Sequence, residues 1–367
     1  SNPTGPVCFY ADINYGGASF CSGNGTYNST PSGWNDRASS VRVQSGYTAE
    51  LWADGNLSGT KITLTGDQPW LGNNNFNDLM SSYRVTQGGS DNGTFWGDTN
   101  NIPVANNVLT FKFLNRTNGR YPDSQVFWSF NGQTYSIAER PTFDMPANSA
   151  GRMYFYLGSP NSQYSDFIEF TVGPDVFNGN TTRVDWFGIK LAMRLRANDG
   201  YDMAVGEDYA TFAEDRAVTF QKFINEVPAE FDHLAQIKAP YMIPAPGKMG
   251  DTAFLPGGSR ANYFTSYAQS VGVNNASIFD IMACAGPLAN NAQLCAALNR
   301  HVAHLPVAQQ SNPANFYQTG PANYYAKFWH DHSLQKLAYG FPYDDYAEQS
   351  SFVSRQDPKW LLVAIGW

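Results

Sequence analysis

The start of the chain repeats itself at an offset of 42 residues, and this duplication constrains the fold more than any other feature of the sequence. Phe9–Gly17 aligns with Leu51–Gly59, and Asn35–Ser40 aligns with Asn77–Ser82 at the same offset. One offset that holds over two separate blocks is typical of a duplicated structural unit. The sequence therefore predicts that residues 1–88 form one module with two similar halves.

The first copy carries a corner motif in which the rings of Phe9 and Tyr15 precede a glycine, whereas the second copy has Leu51 and Leu57 at the matching positions. With this motif and its two N-D-x-x-S-S blocks, the module resembles a βγ-crystallin domain. The resemblance implies two Greek-key motifs that pack as a small sandwich. We expect the corner of the second copy to be looser because it lacks the rings.

The N-D-x-x-S-S blocks match the calcium signature of the βγ-crystallins, and the resemblance implies two Ca²⁺ ions, each with ligands from both copies. The implied metal-binding residues are Asn35, Asp36, Arg37 and Ser39 in the first copy and Asn77, Asp78, Leu79 and Ser81 in the second, with Arg37 and Leu79 acting through their carbonyls. Carboxylate, hydroxyl and carbonyl oxygens suit a hard cation. The alternative is that these residues only form turns and strand starts. Three roles are open for the module: stabilisation by calcium, binding of a wall polysaccharide, or inhibition of proteases.

The four cysteines form two close pairs, Cys8 with Cys21 and Cys284 with Cys295. Close pairs without a C-x-x-C spacing favour two local disulfides and an oxidising compartment, so we expect a secreted protein. Free buried thiols are the alternative.

The remaining totals argue against several classes of protein. The net charge is −8 and the sequence has no basic run, so a nucleic-acid partner is not expected. No apolar run reaches the roughly 18 residues of a transmembrane helix, so no membrane partner is expected either. The chain starts without Met, which is typical of a mature or trimmed protein. We expect a monomer.

A strand with an acidic residue on its outer face is predicted near the middle of the chain. The alternation of residues over Asp166–Val172 predicts a half-buried strand with Glu169 and Thr171 pointing away from the core. A turn-rich segment, residues 173–180, follows, and then a second strand-like run, residues 182–191.

Asp185 lies within the second run, so two neighbouring strands would bring Glu169 and Asp185 to one face of one sheet. Two carboxylates across a groove are what the hydrolysis of a glycosidic bond needs. One donates a proton to the leaving oxygen, and the other activates water or attacks the sugar. From the pattern alone, the alternative is a pair of solvent-facing strand carboxylates.

The motifs around these carboxylates resemble those of a known family. They are FIEFTV at Phe167–Val172, TTRVDWFGI at Thr181–Ile189 and FPYDD at Phe341–Asp345, with a step of sixteen residues from Glu169 to Asp185. With them, residues 104–367 resemble glycoside hydrolase family 64, whose members are β-1,3-glucanases on a thaumatin-like fold.

The resemblance implies an activity and residue roles. Glu169 would be the general acid and Asp185 the general base of an inverting reaction that cleaves β-1,3-glucan into short laminarioligosaccharides, with no cofactor for the chemistry. Thr171 and Thr182 match positions that contact sugar in that family, whereas residues 173–180 depart from its pattern. A non-catalytic glucan-binding or antifungal thaumatin-like protein is the alternative.

The domain organisation follows from composition and resemblance together. Residues 89–103 are rich in Gly, Asn and Asp, so they are the predicted linker. Residues 104–367 are the predicted catalytic domain. Short strands come first, helical patterns follow, and the apolar run Trp360–Trp367 predicts a last strand. The expected fold class is mostly β: a two-Greek-key module, then a thaumatin-like β-sandwich with a helical, disulfide-bearing subdomain.

Overall fold

The structure, a computed structural model, describes residues 5–44, 46–87 and 95–367. The chain divides into two compact units, residues 1–98 and residues 99–367. Within the predicted linker, residues 89–94 lie outside the described residues, and the predicted boundary between residues 103 and 104 stays a prediction. Across the part of the chain that is described, no helix has both the length and the apolar character needed to cross a bilayer.

The first unit is built from two antiparallel sheets. Its strands are β1 (Val7–Tyr10), β2 (Ser19–Ser22), β3 (Gly25–Tyr27), β4 (Ser40–Val43), β5 (Tyr47–Asp54), β6 (Ser58–Leu64) and β7 (Ser82–Gln87). The sheet orders are β2-β1-β4 and β3-β7-β5-β6. Strand β3 of the first copy thus pairs with β7 of the second copy. In the other direction, Gln68 of the second copy forms an isolated β-bridge with Val41 of the first copy. This exchange between the two halves confirms the predicted pair of Greek keys.

The two corners of this unit have the same backbone, so the prediction of a looser second corner is wrong. The left-handed pair at positions 14 and 15 (φ 55° and 62°) recurs at positions 56 and 57 (φ 56° and 55°). Ser40 Oγ accepts from the Tyr15 N–H at 2.9 Å and donates to the Asp12 carbonyl at 2.6 Å. Ser82 makes the two matching bonds in the second copy, where its Oγ accepts from the Leu57 N–H. A serine, rather than a ring, therefore fixes each corner.

Both predicted disulfides are present. Cys8–Cys21 joins the directly paired strands β1 and β2, and Cys284–Cys295 lies in the helical part of the second unit. No cysteine of the described chain is free.

The second unit is centred on a β-sandwich. Its strands are β8 (Leu109–Arg116), β9 (Val126–Phe130), β10 (Gln133–Ser136), β11 (Thr142–Met145), β12 (Ser149–Leu157), β13 (Ser165–Gly173), β14 (Val176–Thr181), β15 (Trp186–Phe187), β16 (Leu191–Ala197), β17 (Asp202–Gly206), β18 (Ile243–Pro244), β19 (Phe352–Gln356) and β20 (Pro358–Gly366). A six-stranded sheet has the order β10-β9-β12-β13-β14-β19, and a five-stranded sheet has the order β11-β8-β20-β16-β17. Phe111 of the second sheet contacts Phe170 and Phe177 of the first, with ring centroids 5.3 and 5.9 Å apart. The predicted last strand is confirmed as β20, which pairs with both β8 and β16.

The chain after β13 differs from the prediction. The segment predicted as turns forms β14 and pairs directly with β13, whereas of residues 182–191 only two short pieces are strand. Strand β14 alternates buried residues, such as Phe177 and Thr181, with two asparagines that resemble loop residues by composition. Asp185 therefore lies on a connection after β14 and not on the face of the sheet.

The helical part of the second unit follows β17. Its helices are α1 (Tyr209–Ala213), α2 (Arg216–Glu226), α3 (Thr265–Ser270), α4 (Ile278–Met282), α5 (Ala292–Asn299) and α6 (Tyr324–Asp331). They surround a second hydrophobic core in which Phe187 stacks on Trp329 with ring centroids 4.6 Å apart. Because Phe187 belongs to β15, this core anchors the connection that carries Asp185. The predicted combination of a sandwich with a helical, disulfide-bearing part is confirmed.

Candidate active site

Glu169 lies on the outer face of β13, as the alternation predicted. Its neighbours Ile168 and Phe170 are buried in the sandwich, while the Glu169 side chain is 39% exposed. The paired position on β12 is Arg152, whose Nη2 lies 3.4 Å from Glu169 Oε1. A rigid central strand thus presents this carboxylate to solvent beside a cation.

Asp185 reaches the same region from the connection between β14 and β15. Its carbonyl accepts from the Ala245 N–H at 3.0 Å, and Lys248 Nζ lies 3.3 Å from Asp185 Oδ1. A hydrogen bond with Tyr154 raises the pKa of Arg152, and the charges of Glu169 and Asp185 raise it further. The charges of both carboxylates thus act on one guanidinium, although they come from different structural elements.

Trp186, the residue after Asp185, covers Phe167 on the face of the sheet. The two ring centroids are 5.4 Å apart, and the Arg152 guanidinium lies 4.2 Å from the centre of the Phe167 ring. Phe167 is only 2% exposed, although the alternation places it on the outer face. This packing ties the connection that carries Asp185 to the strand that carries Glu169.

The two predicted sugar-binding threonines lie in different surroundings. Thr171 is exposed on the same face of β13 as Glu169, and its Oγ1 accepts from Asn178 Nδ2 at 3.3 Å. Thr182 is 6% exposed, and its Oγ1 accepts from the Val184 N–H at 3.2 Å. Thr171 is therefore open to a ligand, whereas the Thr182 hydroxyl shapes the loop that leads to Asp185. Their sugar contacts stay predictions.

A buried ion cluster that the sequence patterns did not reveal holds this loop in place. Arg183 Nη1 donates to Asp166 Oδ2 at 2.6 Å, and Arg183 Nη2 is ion-paired with Glu207. All three side chains are almost completely inaccessible. The Arg183 carbonyl accepts from the Tyr325 hydroxyl at 2.6 Å. Asp166 lies on β13, so the cluster joins the strand of Glu169 to the loop of Asp185.

The cluster is held by charge pairing in which one guanidinium is shared by two carboxylates. Burial raises the pKa of both Asp166 and Glu207, and the guanidinium opposes this rise. Burial alone would lower the pKa of Arg183, but the two carboxylates raise it above its usual value, so it stays charged. Asp166 Oδ2 also accepts from two backbone N–H groups, those of Gly188 at 2.8 Å and Ile189 at 3.1 Å. Charge pairing and hydrogen bonds thus offset the cost of burying three ions.

The two acids of the FPYDD motif have different surroundings. Asp344 is fully buried, and it accepts from Arg300 Nη2 at 3.1 Å and from His330 Nε2 at 2.6 Å. Burial would lower the pKa of His330, but Asp344 raises it. Asp345 is exposed. The pKa of Tyr339 is raised first by burial, then by the charge of Asp345, and also by the charge of Glu169. Asp344 is thus a structural anchor, and only its neighbour is open near the carboxylate pair.

The predicted calcium residues of the first unit meet across its two copies. Ser39 Oγ donates to Asp78 Oδ1 at 3.0 Å, and Ser81 Oγ donates to Asp36 Oδ1 at 3.2 Å. Both aspartates have φ of 54°. Asn77 Oδ1 is buried and accepts no hydrogen bond. An orphaned oxygen beside two symmetric groups of oxygen donors fits a hard cation, and each group draws on both copies.

Comparisons with known proteins agree with this arrangement. The family model described as Beta-1,3-glucanase matches residues 273–365, and the model described as Peptidase inhibitor family I36 matches residues 1–64. The GH family 64 laminaripentaose-producing β-1,3-glucanase from Paenibacillus barengoltzii is similar at 27% identity and a TM-score of 0.67, over 93% of this chain and 99% of that one. A β-1,3-glucanase domain (GH64) from Clostridium beijerinckii is similar at 25% identity and a TM-score of 0.63, over 72% of this chain and 100% of that one.

In sequence and in fold, the second unit thus resembles the β-1,3-glucanases of glycoside hydrolase family 64.

The first unit is also similar to a βγ-crystallin domain from Clostridium beijerinckii at 41% identity, over 22% of this chain and 95% of that domain, with a TM-score of 0.20. No curated protein matches the chain. Of the predicted site residues, Glu169 and Thr171 lie on one face of β13, Asp185 lies on the connection that packs against this strand through Trp186, and Thr182 is buried in the same connection.

The buried ion cluster should contribute strongly to the stability of the second unit. We expect Arg183→Met to lower the free energy of unfolding of the catalytic unit by about 3–5 kcal/mol, because it leaves two buried carboxylates without a cation. The measurement is urea unfolding followed by tryptophan fluorescence. The matched control is Arg355→Met, which removes an arginine from a half-exposed ion pair with Asp199 and should change stability little. Equal effects of the two substitutions would contradict the role of the cluster.

Proposed function

We propose that this protein is a β-1,3-glucanase that cleaves its substrate by a single displacement with inversion, with Glu169 as the general acid and Asp185 as the general base. The observation that supports the proposal is that both side chains are partly exposed and that Trp186, the residue after Asp185, packs on Phe167 of the strand that carries Glu169. Glu169 donates its proton to the glycosidic oxygen as the C–O bond breaks. Asp185 takes a proton from the water that attacks the opposite side of the sugar. Inversion needs room for that water, roughly 6.5–9.5 Å between the carboxyl groups.

Neighbouring cations and the contact between the Trp186 and Phe167 rings hold the carboxylates of Glu169 and Asp185 in place. Lys248 pairs with Asp185, and Arg152 lies against Glu169, so each carboxylate has a fixed direction before substrate arrives. Trp186 blocks water from the face of Phe167 between them. We propose short laminarioligosaccharides as products, because the Paenibacillus barengoltzii relative is described as laminaripentaose-producing and was crystallised with laminarihexaose. The two disulfides support a secreted enzyme.

The carboxylate roles are tested by Glu169→Gln and Asp185→Asn. We expect each substitution to lower the rate of laminarin hydrolysis at least about 10²-fold, because general acid–base groups contribute on this scale. The measurement is the release of reducing sugar, with proton NMR of the first product anomer. Inversion of a β-linkage predicts that the α-anomer appears first. Asp175→Asn, which changes an exposed carboxylate in the turn between β13 and β14, is the matched control and should keep full activity. Retained activity of Glu169→Gln, or a β-anomer as first product, would refute the mechanism.

For the first unit we propose two calcium sites that stabilise it. Asp36 with Ser81, and Asp78 with Ser39, would supply side-chain oxygens to one ion each, and the carbonyls of Arg37 and Leu79, with the amides of Asn35 and Asn77, would complete the two sets. The cross-copy hydrogen bonds and the orphaned Asn77 oxygen support this assignment. An ion that binds only the folded state stabilises it by mass action.

Calcium should therefore raise the melting temperature of the first unit. At a calcium concentration 100 times the dissociation constant we expect a gain of about 2.7 kcal/mol. Differential scanning calorimetry with calcium and with a chelator measures the shift. The double variant Asp36→Ser/Asp78→Ser should lose it, and magnesium should replace calcium poorly because it prefers a smaller octahedral set. A melting temperature that does not respond to calcium in the wild type would rule out the sites.

Peptidase inhibition by the first unit is a second candidate function, favoured by the family model that matches residues 1–64. If it is correct, the full chain should inhibit at least one serine or metallopeptidase with a stoichiometric end point. Deletion of residues 1–88 should abolish the inhibition and leave laminarin hydrolysis intact. Chromogenic peptidase assays and reducing-sugar release measure the two activities side by side. Unchanged peptidase rates throughout would rule out this second function.

A further inference from the structure

Strand β12 presents two tyrosines on the face of the sheet that carries Glu169. Met153, Phe155 and Leu157 are buried in the sandwich, so Tyr154 and Tyr156 between them point outward, on the same side as Arg152. In the register with β13, Arg152 is opposite Glu169, Tyr154 is opposite Phe167, and Tyr156 is opposite Ser165. The tyrosines therefore follow one another along the strand, starting beside the carboxylate.

The two rings form one surface rather than two separate side chains. Their centroids are 6.5 Å apart and their planes differ by 21°. The Tyr154 ring contacts Phe167 at 5.4 Å, and Phe167 is in turn covered by Trp186. The tyrosines are half-buried, so the rings are supported from below while part of each remains open to solvent.

The opposite direction along the same face is polar. Beyond Glu169 on β13 lies Thr171, which accepts from Asn178, and Ser354 of β19 donates to the same asparagine at 2.5 Å. With a rise of about 3.3–3.4 Å per residue, Tyr154 and Tyr156 lie roughly 7 and 14 Å from the row of Arg152 and Glu169. Glu169 thus stands between a polar stretch and an aromatic stretch of one continuous face.

This division matches what a polysaccharide needs on the two sides of a cleavage point. The apolar C–H faces of glucosyl rings stack on aromatic rings, and the tyrosine hydroxyls can bind sugar hydroxyls at the rim. We propose that Tyr154 and Tyr156 form a sugar-stacking platform that binds glucosyl units of β-1,3-glucan on the side of Glu169 opposite to Thr171. The inference rests on the proposed function of this site and adds a determinant of substrate length. A glucan that spans both stretches binds well, whereas a short one that occupies only the polar side does not use the platform.

The test uses Tyr154→Ala/Tyr156→Ala and Tyr154→Leu/Tyr156→Leu, since leucine keeps apolar bulk on the strand but offers no flat ring. We expect both double variants to raise KM for laminarin about tenfold or more while their kcat matches that of the double phenylalanine variant, which also lacks the hydrogen bond between Tyr154 and Arg152. The variant with phenylalanine at both positions should keep most of the wild-type KM because it keeps both rings. Tyr135→Ala is the matched control: this half-buried tyrosine lies on β10 of the same sheet but pairs with the core residue Trp128, on the opposite face.

Binding is measured separately from turnover by calorimetry with laminarihexaose in a Glu169→Gln background. Weaker binding in the alanine and leucine variants, with unchanged binding in the phenylalanine variant and in Tyr135→Ala, would establish the platform. Wild-type KM and affinity in the leucine variant would overturn it, and the proposed function would stand as long as the wild type still cleaves laminarin. A wild type that releases no sugar from β-1,3-glucan would instead overturn the proposed function, so the two failures are distinguishable.

Discussion

The buried guanidinium of Arg183 is the interaction on which the arrangement of the site depends. It lies between Asp166 of β13 and Glu207, which follows β17, so one side chain joins the strand of Glu169, the loop of Asp185 and the second sheet. Removing three ions from water is costly, and only nearly complete pairing offsets that cost. A small shift of the loop would therefore be costly in free energy, because it would leave a buried charge without its partner. Such a restraint suits a loop that must hold one carboxylate near another on a rigid strand.

The sequence predicted the strand half of the site better than the loop half. Alternation alone placed Glu169 outward, because the apolar residues beside it have only one core to face. The loop half depends on tertiary context: the asparagines of β14 resemble turn residues, and they occupy a strand because its alternate residues, such as Phe177, fill the sandwich core. The role of Arg183 was hidden for a related reason. Charged residues in a pattern indicate a solvated face, and only the fold shows that Arg183 meets Asp166, seventeen positions earlier, in the interior.

In the first unit the repeat predicted the architecture, but the most conspicuous residues were not the ones that matter for its corners. Rings are present at one corner and absent from the other, yet the backbone is the same in both. What the copies share is the last serine of each N-D-x-x-S-S block, Ser40 and Ser82, which closes the corner through two hydrogen bonds. The serine before it faces the aspartate of the other copy. Each block thus carries two separate tasks, and this explains why both serines recur at one offset.

The same separation of tasks applies to the outer face of the six-stranded sheet. Its floor is made rigid by groups that contact one another, namely Phe167 under Trp186 and Arg152, while the residues free to meet a ligand stand at either side. A face that had only polar groups would hold a hydrated polysaccharide weakly, because each hydrogen bond to sugar replaces one to water. Aromatic area adds a gain that does not depend on such an exchange. A polar stretch that orients the sugar, followed by an aromatic stretch that retains it, is therefore a physical solution for placing one linkage of a uniform polymer over two fixed carboxylates.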